Sequence, residues 1–242
     1  MKKMIQALSA FIAMLVLGGC ATGLDKTATA IDWSKGSVIV MSVEMTNKYK
    51  PNYQPTQLGV VIAKEGGEAK ERVYAGSTIF AGTNAFLVTK QIQPGRYSVA
   101  RILGISRSFP IQGGIDFAVN APFEITPNSV IYLGRLVTVN KEKVNKDDQS
   151  TGGVIPLIDQ AISGFGNGTL DVVLQDNYTE DVKVLKSEFA YIKNLDVMRS
   201  PLQKITLERT TGSSAPLIEV RAVNPAVARD DTSAITSPVV SK

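Results

Sequence analysis

The side chains that most often carry chemistry are scarce in this sequence: no histidine and a single cysteine, Cys20, occur among 242 residues. Without imidazole there is no Ser-His or Cys-His dyad, no histidine general base and no histidine metal ligand. One cysteine can form neither an internal disulfide nor a cysteine zinc site. The common serine pattern that works without histidine, Ser-x-x-Lys, is missing too, and no Gly-x-Ser-x-Gly nucleophile elbow occurs. Gly164, Gly166 and Gly168 lack the spacing and the lysine of a phosphate-binding loop and read as a flexible turn ahead of a strand at Leu170. The acid pairs Asp147/Asp148, Glu180/Asp181 and Asp230/Asp231 do not alternate as calcium ligands do. The middle pair suits the N-terminus of a helix. A glycosidase needs two carboxylates that only the fold can bring together, and the single Trp33 offers few aromatic platforms for sugar. The expectation is a protein without catalytic residues, cofactor or metal.

Binding is better served. Thr46-Asn47-Lys48-Tyr49-Lys50-Pro51-Asn52-Tyr53-Gln54-Pro55 mixes two tyrosines with amides, lysines and prolines. Tyrosine gives large contact area at low entropy cost, and amides give adaptable hydrogen bonds. Ser106-Arg107-Ser108-Phe109-Pro110 pairs an arginine with an aromatic residue between two strands, and loops on such scaffolds carry function. Tyr49, Tyr53, Arg107 and Phe109 are the candidate binding residues. The plainer alternative is a solvated connection whose tyrosines cover the edge of the domain.

The elements that must position these loops are strands. Ile39, Met41, Val43 and Met45 alternate with Val40, Ser42 and Glu44; Leu58, Val60 and Ile62 line one face of the next run. Tyr97–Leu103 is a further strand, entered through a Pro94-Gly95 turn. The cleanest alternation is Ile115, Phe117, Val119, Ala121 and Phe123. Val130–Leu133 is apolar on both faces and reads as a central strand. Leu170–Leu174 and Ile218–Ala222 alternate again. Thr179 as an N-cap, with Glu180 and Asp181 in the first turn, opens the one helical segment, whose Val182, Leu185, Phe189 and Ile192 recur at helical spacing. That stripe is expected to pack on the sheet. The fold class is mainly β, an antiparallel β-sandwich with one amphipathic helix near 180–193.

Pro94-Gly95-Arg96-Tyr97 opening a strand, followed by Phe123-Glu124-Ile125-Thr126-Pro127-Asn128-Ser129-Val130-Ile131-Tyr132-Leu133-Gly134-Arg135-Leu136, resembles small bacterial lipoproteins of uncharacterised function. Their domain is similar to the transthyretin-like, carboxypeptidase-regulatory-like β-sandwich, within the broader Ig/transthyretin-like group. The resemblance covers roughly residues 37–195, fits 141–169 poorly, and implies no catalytic residues.

At the N-terminus Lys2 and Lys3 precede the apolar run Ala7–Leu17, then Gly18, Gly19 and Cys20. This is the plan of a secretory signal peptide, and the run is shorter than the roughly 20 residues a spanning helix needs. Leu17-Gly18-Gly19-Cys20 resembles the lipobox of bacterial lipoproteins. The resemblance implies a diacylglycerol on the sulfur of Cys20, cleavage before it and acylation of the new amine, a palmitate-type anchor in the membrane. Ala21 is not the aspartate that retains such proteins at the inner membrane, so the resemblance points to the outer membrane, on its periplasmic or its surface face. Residues 1–19 hold two lysines and no acid, so 24 basic and 22 acidic side chains remain of 26 and 22. That balance is no footprint for nucleic acid.

The chain therefore divides into a signal peptide (1–19), a lipidated Cys20 with a tether (20–36), a β-sandwich (37–223) and a disordered tail (224–242). The expected function is a lipid-anchored, non-enzymatic binding or assembly module of the cell envelope. Its partners are the membrane, through the lipid, and an envelope protein. The alternatives are a peptidoglycan- or glycan-binding lipoprotein, a carboxylate-dependent envelope enzyme, or a purely structural lipoprotein.

Overall fold

The computed structural model describes residues 23–67, 73–75, 77–79, 84–152, 158–207 and 218–223. The expected signal peptide, Cys20 and the expected 224–242 tail lie outside these residues. Twelve strands occur among them: β1 (Ser37–Asn47), β2 (Gln57–Lys64), β3 (Val73–Ala75), β4 (Ser77–Ile79), β5 (Ala85–Ile92), β6 (Gly95–Ser108), β7 (Ile111–Ile125), β8 (Val130–Glu142), β9 (Gly168–Gln175), β10 (Val197–Arg199), β11 (Lys204–Leu207) and β12 (Ile218–Val223). Two α-helices accompany them, α1 (Ile158–Ile162) and α2 (Tyr178–Glu188).

Hydrogen bonding follows one path, β3-β2-β6-β7-β11-β12-β9-β8-β1-β5-β4, with β10 added to β8. The path folds over at the antiparallel β11–β12 pair. Side chains from β2, β6, β7 and β11 thereby meet those of β1, β5, β8 and β9 in the principal core. This is the expected β-sandwich, rich in antiparallel pairs. Three pairings depart from it: β1–β8, β10–β8 and β12–β9 are parallel. None of these pairs is joined by a hairpin, and only a short turn forces antiparallel neighbours.

The alternation read from the sequence sorts side chains between two cores. On β1, Ile39, Met41, Val43 and Met45 enter the sandwich, while Val38 and Val40 point to a second cluster on the outer face. β8 lies between β9 and β1, as its two apolar faces require, with Ile131 and Leu133 inside and Val130 and Tyr132 outside. Burying a side chain of this size contributes about 1.5–3 kcal/mol. The outer cluster is roofed by α2 and a 3-10 turn, Ala190–Ile192, which seat Val182, Leu185, Phe189 and Ile192 on the sheet as expected.

The helix starts two residues before the expected position. Asn177, not Thr179, is its N-cap residue, and its side chain makes no capping bond. One tertiary and one local bond hold the start instead: Asn177 N donates to the Tyr132 hydroxyl at 3.0 Å, and Tyr178 N to Asp176 Oδ1 at 3.3 Å. The expected tether, as far as it is described, lies along the domain. Leu24 and Ile31 pack on the outer cluster, and Leu24 N donates to Thr89 Oγ1.

Candidate interaction surface at one end of the sandwich

β1, β6 and β8 all finish at one end of the sandwich, where β2, β7 and β9 begin. The two loops singled out by sequence share this end. Thr56 N and Thr56 Oγ1 both donate to Ile105 O, which ties the last residue before β2 to β6. Beyond Ile105 the β6–β7 hairpin continues through Arg107↔Gln112 and Ser108↔Ile111. Ser106, Arg107 and Ser108 are therefore strand residues, and the connection shrinks to Phe109 and Pro110. Each residue of strand adds about 3.3 Å, so the tip projects about 10 Å past the edge of β2. Phe109 at that tip is 100% exposed, and Arg107 below it is exposed.

The tyrosine loop is held by a buried amide pair. Asn47 and Asn140 face each other in the parallel β1–β8 register, and both are buried. Asn140 Nδ2 donates to Asn47 Oδ1 at 2.8 Å, and Asn47 Nδ2 donates to Tyr53 O at 2.9 Å and Ser163 O at 3.0 Å. The Asn140 carbonyl accepts from the backbone N–H groups of Lys48 and Tyr49, and Thr151 Oγ1 donates to Asn140 Oδ1. Gln54 closes the loop from above: its Oε1 accepts from Asn47 N, and its Nε2 donates to Asn47 O and Pro51 O. Buried polar groups this fully paired fix one backbone path.

Tyr49 and Tyr53 are half-buried. The Tyr49 hydroxyl donates to Glu142 Oε1 at 3.2 Å, and Lys50 Nζ lies 5.0 Å from the Tyr49 ring centroid. Under them runs the Gly164-Phe165-Gly166-Asn167-Gly168 segment, expected to be a flexible turn. It is a packed plug: Phe165 is buried in the principal core, and a Cβ on Gly164 would stand 2.8 Å from Tyr49 Cδ1 and 2.6 Å from Lys50 Cγ. Gly164 also holds φ of 81°, in the left-handed region that suits glycine. The structure thus places Tyr49, Tyr53, Arg107 and Phe109 at one end of the domain, and Cys20 lies outside the described residues.

A second cluster went unforeseen. Asp181, read as a helix-dipole partner, is completely buried against the outer face of the sheet. It accepts from Arg135 Nη2, from Ser42 Oγ at 2.5 Å and from the Tyr132 hydroxyl at 2.8 Å. Arg135 further contacts Glu180 at 3.1 Å and Glu44 at 3.4 Å. Burial opposes the Arg135 charge, but the Asp181 hydrogen bond and the three carboxylates outweigh it and hold its pKa above the ordinary value. Burial, then Asp181, pushes the Tyr132 phenol up. Ser42, Tyr132 and Asp181 are all inaccessible, so the cluster fastens α2 to β1 and β8 and presents no nucleophile to a substrate. Among the described residues no group of His, Cys, Asp or Glu is arranged to hold a metal ion.

No protein-family model matches this chain, and no curated protein matches it. Among solved structures the fold has a distant neighbour, described as "Putative cell adhesion protein from Parabacteroides distasonis". It is 12% identical, with a TM-score of 0.28 over 57% of this chain and 40% of the neighbour's length. The candidate surface therefore rests on its own geometry.

Proposed function

We propose that the protein is a lipid-anchored lipoprotein of the cell envelope that captures an envelope protein through the rim carrying Tyr49, Tyr53, Arg107 and Phe109. The observation that carries this reading is Phe109, a fully exposed aromatic ring at the tip of a long hairpin. Exposing a phenylalanine forgoes the stabilisation of burying it, and aromatic and arginine side chains are the usual anchors of protein interfaces. The neighbouring tyrosine loop is already ordered by Asn47, Asn140 and Gln54, so little conformational freedom is left to lose on binding. The anchor is the lipid on Cys20 that Leu17-Gly18-Gly19-Cys20 suggests, in the outer membrane, and the role is binding without catalysis.

The test is cross-linking in intact cells, affinity purification from gently solubilised envelopes and mass spectrometry. Wild type is compared with Phe109→Ser and with the Tyr49→Ala/Tyr53→Ala double variant. A stoichiometric envelope protein lost from both variants supports the reading. Recovery of the chain alone, or of cell-wall fragments only, overturns it.

A further inference from the structure

The opposite end of the sandwich, where β1 and β8 begin, carries a second concavity. β1 spans eleven residues, so the two ends lie about 33 Å apart. A cavity of about 250 Å³ is lined there by Trp33, Asn128, Ser129, Val130, Leu195, Asp196 and Met198. Nothing in the reading of the tyrosine rim uses it.

The presentation of Trp33 is specific. Trp33–Lys35 form a 3-10 turn in which Asp32 Oδ1 accepts from Ser34 N and Ser34 Oγ. Gln91 Nε2 donates to Asp32 O at 2.6 Å and to Gly36 O at 2.8 Å, and Gln93 Nε2 to Ser34 O at 3.1 Å. Gly36 packs so closely on Ile92 that a Cβ would sit 2.2 Å from its carbonyl oxygen. A turn pinned this firmly nevertheless leaves its tryptophan 36% exposed, next to Met198, which is 48% exposed. The polar bonds fix the path of the turn, and about a third of the Trp33 surface stays open to solvent beside the cavity.

The electrostatics of the cavity are one-sided. Asp196 is its only charged lining residue, is exposed, and has no ion pair or hydrogen bond among the described residues. Of the cations beside lining residues in the sequence, Lys35 pairs with Asp32 and Arg199 with Asp176 at 2.7 Å, while Lys193, two residues before Leu195, is exposed. An apolar recess with an indole and one unpaired carboxylate complements a cation on an aliphatic stem.

We propose that this cavity binds a lysine or arginine side chain of a peptide. The aliphatic stem lies along Val130, Leu195 and Met198, and the charged head reaches the Trp33 indole and the Asp196 carboxylate. The site stands or falls independently of the rim at the other end.

Trp33 is the only tryptophan in the chain, so its fluorescence reports this cavity alone. The full chain is titrated with the capped tripeptides acetyl-Gly-Arg-Gly-amide and acetyl-Gly-Lys-Gly-amide. The citrulline and glutamate analogues and N-acetylglucosamine are run beside them. The expected result is a saturable change with the arginine and lysine peptides, at least about tenfold weaker for citrulline and for the Asp196→Asn variant. A response to citrulline equal to that of arginine, an unaltered affinity in Asp196→Asn, or no saturable change would overturn the proposal. So would saturation by N-acetylglucosamine without the peptides, which would make the site a saccharide site.

Discussion

Asn140 Nδ2 donates to Asn47 Oδ1 at 2.8 Å between two strands that run side by side, and this one bond joins the ends of β1 and β8 to three loops. Asn47 reaches the tyrosine loop through Tyr53 O and the glycine-rich plug through Ser163 O. Asn140 receives Thr151 from the connection after β8. The shape of the proposed rim is thus decided beneath it, by side chains no partner can touch.

Replacing Asn47 with alanine strands several buried partners at once, each worth roughly 1–3 kcal/mol when left unpaired. We expect Asn47→Ala to lower stability by more than about 2 kcal/mol. The Tyr49→Ala/Tyr53→Ala variant, with half-exposed rings, should lose under about 1 kcal/mol. Urea unfolding followed by circular dichroism separates the two through their midpoints at unchanged slope. A double tyrosine variant as unstable as Asn47→Ala would make the rings part of the core and not of a surface.

The Arg135–Asp181 pair predicts an asymmetric mutational pattern. Arg135 is 9% exposed at its side chain and Asp181 is 0%. Asp181→Asn leaves the guanidinium buried without its main counter-charge, at a cost of about 3–5 kcal/mol. Arg135→Met combined with Asp181→Leu removes both charges and should recover most of that loss. Glu180, 69% exposed, should matter by less than about 1 kcal/mol when changed to glutamine. The same unfolding experiment checks all three, and a double variant no better than Asp181→Asn would refute the buried-charge account.

How much of this was legible in the sequence depended on whether an element has a wet face. β7 could be read because Ile115, Phe117, Val119 and Ala121 are buried while their neighbours are half-buried or exposed. β5 was not recognised: Ala85 to Thr89 are buried throughout, so no period of two is imprinted on them. The hairpin tip was legible through Phe109-Pro110, since a phenylalanine beside a turn-forming proline stands out locally. The pairings of Asp181 with Arg135 and of Asn47 with Asn140 were not, because each joins residues far apart in the chain. Glu180-Asp181 in a first helical turn looks identical whether the carboxylate meets water or a buried arginine.

Tyr132 gives a prediction about pH. Burial and the Asp181 carboxylate raise its pKa above the usual value of about 10. The folded state keeps the phenol protonated where the unfolded chain releases its proton. This contribution is intact below about pH 10 and is lost progressively as pH rises beyond it, at up to about 1.4 kcal/mol per pH unit. Tyr132→Phe is less stable at neutral pH, lacking the bonds to Asp181 and Asn177, but should lack this added alkaline slope. Unfolding free energies at about pH 9, 10.5 and 11.5 for both proteins isolate the difference from all other tyrosines and lysines. Parallel curves would mean that Tyr132 ionises freely in the folded protein.

Gly164 links the plug to the rim and tests whether the two are one unit. Its φ of 81° disfavours any side chain, and an added methyl would collide with Tyr49 and Lys50. Gly164→Ala should therefore cost about 1–3 kcal/mol and push the tyrosine loop away from Glu142. Gly66 is a matched control, with φ of 70° but open space around its Cα, so Gly66→Ala carries the backbone strain without the collision. A larger loss for Gly164→Ala, with altered Tyr49 and Tyr53 chemical shifts confined to that variant, is the expected outcome. Equal losses and unmoved tyrosine signals would mean that Gly164 is needed for its backbone angle alone and that the plug does not support the rim.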